Sequence, residues 1–381
     1  MKRIVNSIKL CRKVIILGCN DIASRNTVAE NLSGQETSQR VVFGAGLRHS
    51  IGDELDRLGC SRALILSTPE QSNAALDIAG MLGKKAAGVF SGAAMHTPVQ
   101  VTEDALVHAN AVAADCYVAV GGGSTTGLGK ALALRTDLPQ LVVPTTYAGS
   151  EATPILGQTE GGKKTTLKDP KVLPEVIIYD PELVVTLPKA MSATSGLNAI
   201  AHAAEALYAK DRTAQSTQLA IDGINALVAA LPLVLANPFD VAAREQSLRG
   251  AWACGAVLGQ VGMALHHKLC HTLGGSFDLP HAPTHAAVLP HAVAYNAVAV
   301  PELLAPITAA MGGGKPGLAL WSFAGKIGTQ ISLRELGLKE SDLARAAEIA
   351  ISNPYWNPRP LTTEGIRGLL SDAWSGTAPA N

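Results

Sequence analysis

Neither sign of charge is in surplus in this chain, because 31 lysines and arginines stand against 31 aspartates and glutamates. Such a balance casts no long-range field, which argues against nucleic acid or an anionic membrane as partner; any anion must be caught locally. Aromatic residues are scarce, at 4%. No apolar run reaches the roughly 18 residues of a membrane span, so a soluble fold built of small aliphatic side chains is expected. Cysteine is sparse as well. The six (Cys11, Cys19, Cys60, Cys116, Cys254, Cys270) form no CxxC pair, which argues against a disulfide framework or a cysteine-rich zinc site and suits a reducing cytoplasm. The opening "MKRIVNSIKLCRKVIILGCN" has basic residues and a lipoprotein-like "LGC". Its apolar stretch is only about five residues, short of the ~7 to 15 of a signal-peptide core. Residues 1–38 are therefore expected to form an extension with little structure.

What is present is a rhythm. From residue 40, short β-branched runs ("RVVF", "RALILS", "AAGVF", "CYVAVGGG", "LPQLVVPTT", "EVIIYDPEL") alternate with amphipathic segments, the βαβα pattern of a doubly wound parallel sheet. After Pro188 the strand signal stops and Ala-rich helical segments follow. The 381 residues thus divide into an extension (1–38), a Rossmann-like α/β domain (39–188) and an all-α domain (189–381).

Gly121, Gly122 and Gly123 lie between a buried strand and a helix beginning near Thr125. Three residues without Cβ let backbone N–H groups approach a diphosphate, and the helix N-terminus adds donors and a favourable dipole. Ser124 and Thr125 can cap and donate. The "GK" of this loop is a decoy: Ser124 stands where a Walker loop has its first glycine, and Ala131 replaces its Ser/Thr. Gly44 and Gly46 in "FGAGLRHSIG" carry two-thirds of a dinucleotide fingerprint, with His49 in the third place. "PTTYAGSEAT" brings the hydroxyls of Thr145, Thr146, Tyr147 and Ser150 to a strand end, where open parallel sheets bind ligands. After the second strand stand Ser67 and Thr68 instead of an acidic residue. Nothing there repels a 2′-phosphate, which leaves NADPH as open as NADH.

Five of the ten histidines fall within "HHKLCHTLGGSFDLPHAPTH", residues 266 to 285. Asn198 and His202 are four apart, as are His267 and His271, so each pair shares a helix face. His281 follows Pro280, where a loop can return to the same cleft.

The glycine triplet, "PTT…GSE", the (Asp/Asn)xxxHxxE helix, the HxxxHxxG helix and the "PH" loop, in that order over roughly residues 40 to 375, resemble the iron-containing alcohol dehydrogenase superfamily, whose architecture is shared with dehydroquinate synthase. In that family one aspartate and three histidines hold a metal, and they map onto Asn198, His202, His267 and His281; the aspartate is missing here. The family's aspartate within the glycine loop is also missing, at Gly127. With those departures, "TSGLNAIAHAAEALYA", "MALHHKLCHTLGGSFDLPHA" and "NPRP" resemble the maleylacetate reductase branch, which reduces a carbon–carbon double bond with NADH or NADPH in aromatic degradation and is regarded as metal-free.

The resemblance implies a homodimer, a dicarboxylate substrate (maleylacetate) and no metal. It implies a catalytic set of His271, His281, His267, His202, Lys268, Asn198 and Tyr147, with His271 and His281 as proton donors or enolate stabilisers and His202, His267 and Lys268 holding carboxylates. The residues expected at the nucleotide are Gly44, Gly46, Ser67, Thr68, Gly121, Gly122, Gly123, Ser124, Thr125, Thr145 and Thr146. The alternative is a metal-dependent dehydrogenase acting on a small alcohol.

Overall fold

A computed structural model describes residues 12–18, 27–31, 39–353 and 355–379. Its main sheet has eight strands: β1 (Arg12–Gly18), β2 (Thr27–Asn31), β3 (Arg40–Phe43), β4 (Ala63–Leu66), β5 (Ala86–Phe90), β6 (Cys116–Gly121), β7 (Gln140–Pro144) and, after a hairpin of β8 (Ile155–Glu160) with β9 (Lys163–Lys168), β10 (Val176–Tyr179). The order is β2-β1-β3-β10-β7-β6-β4-β5, parallel except where β1 meets β2. The central strands β4, β6, β7 and β10 are buried along their whole length, as expected of a parallel sheet covered on both faces. Within the expected extension, the apolar "VIIL" of β1 pairs with β3, consistent with the strand preference of β-branched residues. Apart from β1 and β2, residues 1–38 lie outside the described residues.

Four helices wind around the sheet: α1 (Ile51–Arg57), α2 (Ser72–Leu82), α3 (Val99–Ala111) and α4 (Gly123–Thr136). The chain runs outward through β4 and β5, returns to β6 on the other side of β4, and then proceeds through β7 to β10. The winding therefore reverses between β4 and β6, and the carboxyl ends of those two strands open a crevice. Ser67 and the glycine triplet stand on its two lips.

From Lys189 the chain is helical: α5 (Lys189–Tyr208), α6 (Ala214–Ala236), α7 (Val241–Gln260), α8 (Leu265–Phe277), α9 (His281–Ala297), α10 (Ala305–Met311), α11 (Pro316–Lys326), α12 (Leu343–Ser352) and α13 (Thr363–Ser375). Among described helices, α6 is the one long and apolar enough to cross a membrane by composition. It packs against α5 and α7, burying Ile224, Leu227 and Leu231, as a core helix does. One apolar cluster runs from Val41, Phe43 and Ile177 of the sheet to Leu197, Ile200, Leu227 and Val257 of the helices. The "NPRP" segment is a staple: Asn357 and Asn296 exchange amide hydrogen bonds of 2.7 and 3.0 Å, and Arg359 lies over the Tyr295 ring.

The two halves are joined by close backbone approach and by one buried cation. Gly149, at φ 75°, lies so near α7 that a Cβ there would come 2.9 Å from Gly255 Cα. Arg244 of α7 is 0% exposed. It donates to Tyr147 Oη (2.9 Å), Ser192 Oγ (2.8 Å) and the carbonyls of Pro238 (2.9 Å) and Leu187 (3.1 Å). Arg244→Met should orphan these acceptors in the interior, at about 1–3 kcal/mol for each left unsatisfied. Chemical denaturation is expected to show a total loss of about 3 kcal/mol or more; a midpoint equal to wild type would refute this role.

Candidate active site

The nucleotide side is built from the ends of β3, β4, β6 and β7. A Cβ on Gly122 would lie 2.8 Å from Thr146 Cγ2, and one on Gly121 would overlap Thr125 Oγ1, so neither of these two positions has room for a side chain. At the N-terminus of α4, Thr125 Oγ1, Thr126 Oγ1 and the nearby Ser150 Oγ are buried without hydrogen-bond partners among the described residues. Unpaired hydroxyls beside a helix N-terminus fit a diphosphate. Thr145 Oγ1 accepts from Gln71 Nε2 at 2.6 Å, and Ser67 Oγ donates to Ser91 Oγ at 2.9 Å. The Gly44–Gly46 turn is tied down by Asp180, whose carboxylate accepts from the N–H groups of Gly46 (3.0 Å) and Arg48 (3.1 Å).

Two residues here were missed. Lys130, set aside with the Walker decoy, is buried and donates to the carbonyls of Ser150 (2.6 Å), Thr153 (2.7 Å) and Ile155 (2.9 Å) and to Thr153 Oγ1 (3.0 Å). It holds the "GSEAT" loop against α4. Burial pushes its pKa down to about 7, opposed by Glu151. Thr97 is the second. It sits at φ 46°, a conformation uncommon for a β-branched residue, and its hydroxyl fills the space that a Cβ at position 127 would need. The absent aspartate at Gly127 is thus replaced by a hydroxyl arriving from another loop.

The helical half supplies a wall of imidazoles. Asn198, His202 and Glu205 occupy one face of α5; His266, His267 and His271 belong to α8, and His281 and His285 to the first turns of α9. Asn198 Nδ2 lies 3.5 Å from His202 Nε2, His202 Nδ1 lies 2.7 Å from His267 Nε2, and His267 Nδ1 lies 2.7 Å from Glu205 Oε2. The buried Glu205 carboxylate also accepts from the N–H groups of Ala264 (3.0 Å) and His266 (2.8 Å) and from Tyr208 Oη (3.0 Å). With these and a longer bond of 3.4 Å from the His267 backbone N–H, five hydrogen bonds converge on one carboxylate, and the tautomers follow in sequence. Nδ1 of His267 donates to Glu205, so Nε2 of His267 accepts from Nδ1 of His202, and the lone pair of His202 Nε2 is left beside Asn198.

His271 and His281 are exposed at the rim, and Lys268 is half-buried with its ammonium 5.8 Å above the Tyr355 ring. His202, His267 and His285 are buried. Burial, reinforced by neighbouring imidazoles, holds all three well below the ordinary histidine range, which favours the neutral ring in His202 and His267, two of the residues expected to hold carboxylates. Tyr147, expected among the catalytic residues, is packed in the core between the halves with its hydroxyl engaged by Arg244.

The expectation of no metal is overturned. Among the described residues, Glu205, His266 and His267 offer ligand atoms within 4.8 Å of one another, as do His266, Cys270 and His285, and, at the amino end of β6, Cys60, Asp115 and Cys116. The loss of the family aspartate at Asn198 removed one anionic donor and left others.

Comparison with known proteins covers both halves. Residues 38–181 match the family description "Iron-containing alcohol dehydrogenase", and residues 192–374 match "Fe-containing alcohol dehydrogenase family, C-terminal". The chain is 58% identical over 340 residues to a maleylacetate reductase of Rhizobium sp. (strain MTP-10005), covering 89% of this chain and 97% of that protein. It superposes on the crystal structure of maleylacetate reductase from Agrobacterium tumefaciens with a TM-score of 0.88 at 57% identity, covering 91% and 98% of the two chains. An iron-containing alcohol dehydrogenase from Corynebacterium glutamicum superposes with a TM-score of 0.84 at 39% identity, covering 88% and 94%.

The buried imidazoles make the fold acid-labile. Burial lowers His266 and His291 from 6.5 to about 4. Between those values the unfolded chain binds more protons than the folded one. The stability these groups contribute is therefore complete above pH 6.5 and is lost as pH falls to 4, by about 3 kcal/mol each. Melting temperature should fall steeply across that window, and His291→Phe should make the slope shallower; a flat profile would contradict the neutral-histidine reading.

Proposed function

The chain belongs to the iron-containing alcohol dehydrogenase family, and from that premise we propose that it is an NAD(P)H-dependent reductase of the carbon–carbon double bond of maleylacetate, yielding 3-oxoadipate in the breakdown of aromatic compounds. The observation that carries this reading is identity of 58% with a maleylacetate reductase over nearly the whole of both chains. We take residues 39–188 as the nucleotide-binding domain and 189–381 as the substrate domain. The described cysteines Cys60, Cys116, Cys254 and Cys270 are free, which suits work in the cytoplasm.

NAD(P)H, when bound, supplies the hydride. Gly121 to Gly123 and the α4 N-terminus would hold its diphosphate, with Thr125, Thr126 and Ser150 offering the unpaired hydroxyls beside it. Lys268, at the half-buried edge, offers the positive charge that a dicarboxylate needs on leaving water. Addition of hydride at the alkene carbon β to the ketone leaves an enolate. N–H donors stabilise its oxygen and a proton must reach its α-carbon. His271 and His281 suit proton delivery because both are exposed, so solvent can restore their protons. His202 and His267 stand behind them, their orientation set by Glu205. The donor sets around His267 favour a second reading, a metal-dependent dehydrogenase, in which Glu205, His266 and His267 would hold an ion whose chemistry would be that of a Lewis acid.

One assay separates the two. Purified protein with maleylacetate is expected to oxidise NADH, and protein with a small primary alcohol and NAD is expected to leave NAD unreduced; the reverse pattern would transfer the assignment to the alcohol dehydrogenases. His281→Ala should lower kcat by about 10²–10⁴, the usual contribution of a general acid, with NADH affinity changed little. Unchanged turnover would remove His281 from the mechanism.

A further inference from the structure

His285 has no part in the nucleotide, substrate or proton-transfer roles assigned above, and its environment is unusual for an imidazole. It is 1% exposed, and neither Nδ1 nor Nε2 has a hydrogen-bond partner among the described residues. Leaving two polar ring atoms unsatisfied in an interior is costly. Such a group calls for a ligand, a water or an ion. Its neighbours narrow the choice. His266 and Cys270 are one turn apart on α8, both buried, and Cys270 Sγ lies 3.6 Å from His266 Nε2. A zinc ion with Zn–S near 2.3 Å and Zn–N near 2.0–2.1 Å at a tetrahedral angle spaces those two ligands by about 3.6 Å. The ligand atom of His285 completes a triangle with sides no longer than 4.8 Å.

We propose that His266, Cys270 and His285 form a binding site for a divalent ion of the zinc class, beneath the histidines of the cleft. It is distinct from the Asn198, His202, His267 and His281 set that the family pattern implies. Two neutral imidazoles and one thiolate are borderline-to-soft donors, which select zinc or cobalt over magnesium or calcium. Uptake releases the thiol proton of Cys270 to solvent and replaces it with an S–metal bond. In the metal-free chain the Nε2–H of His266 donates to the backbone carbonyl of His285 at 3.0 Å; on uptake that nitrogen turns its lone pair to the ion and the ring proton resides on Nδ1. The ion ties α8 to the first turns of α9, the two helices that carry His267 and His281. Its role is to set their spacing, and it holds irrespective of which substrate the cleft accepts.

Cobalt(II) is the probe, added to full-length protein stripped with a chelator. One equivalent should bind, with the near-ultraviolet absorption of a cobalt–thiolate bond. Cys270→Ser should abolish that band, and His285→Gln should weaken cobalt binding by at least the roughly 10- to 100-fold that even outer-shell changes cost. X-ray absorption at the zinc edge of zinc-loaded wild-type protein should count one sulfur ligand, which tests the site even if a variant fails to fold. Absence of bound cobalt would overturn the proposal. So would cobalt bound without a thiolate band and lost instead in His202→Gln and His281→Gln, which would place the ion in the family set. None of these readings uses catalytic activity, so they stand apart from the assay with maleylacetate.

Discussion

The active-site half of this molecule is organised around one buried carboxylate. Glu205, on α5, accepts the N–H groups at the start of α8, among them those of Ala264 and His266. It thereby caps a helix whose first N–H groups have no partner within the helix itself, and its charge is favourable at the positive end of the helix dipole. The same carboxylate takes the Nδ1 proton of His267. The position of α8, the tautomer of His267 and, through it, the tautomer of His202 all follow from one side chain. Removing it would leave a helix end and an imidazole unsatisfied together in the interior.

On the other side of the cleft the organising group is a cation. Lys130 gathers four oxygens of the 150–155 segment, and Arg244 gathers groups from the loop after β7, the start of α5 and the segments that precede α5 and α7. Both are buried donors surrounded by acceptors, not members of tight ion pairs. They convert loops into fixed walls, and the glycine triplet can then present bare backbone to a ligand without being free to move.

The sheet and the helical half were legible because their signals are local. The β-branched runs at "RALILS", "CYVAVG" and "EVIIY" announce strands, and "GGG" between a strand and a helix announces an anion loop. The histidines were legible through i, i+4 spacing on α5 and α8. What escaped notice depends on tertiary contact. Lys130 was dismissed because its spacing failed a loop motif, and only its packing against residues 150–155 discloses its work. Thr97 and Gln71 reach the glycine loop from other turns of the sheet. His285 reads as one more histidine until the lack of hydrogen-bond partners for its ring nitrogens among the described residues is seen. The protonation of the wall escaped for the same reason: charge on an imidazole is decided by depth, and depth has no local signature.

The two departures from the family pattern differ in how they could have arisen. At position 198 an amide stands where a carboxylate would have the same shape, so exchange in either direction asks nothing of the packing. Position 127 is different, because the Thr97 hydroxyl already occupies the space of any side chain there. An aspartate could return only after the 94–98 turn had changed. Glycine at 127 and threonine at 97 are therefore coupled: a side chain at 127 is admitted once position 97 has changed and resisted while Thr97 stands.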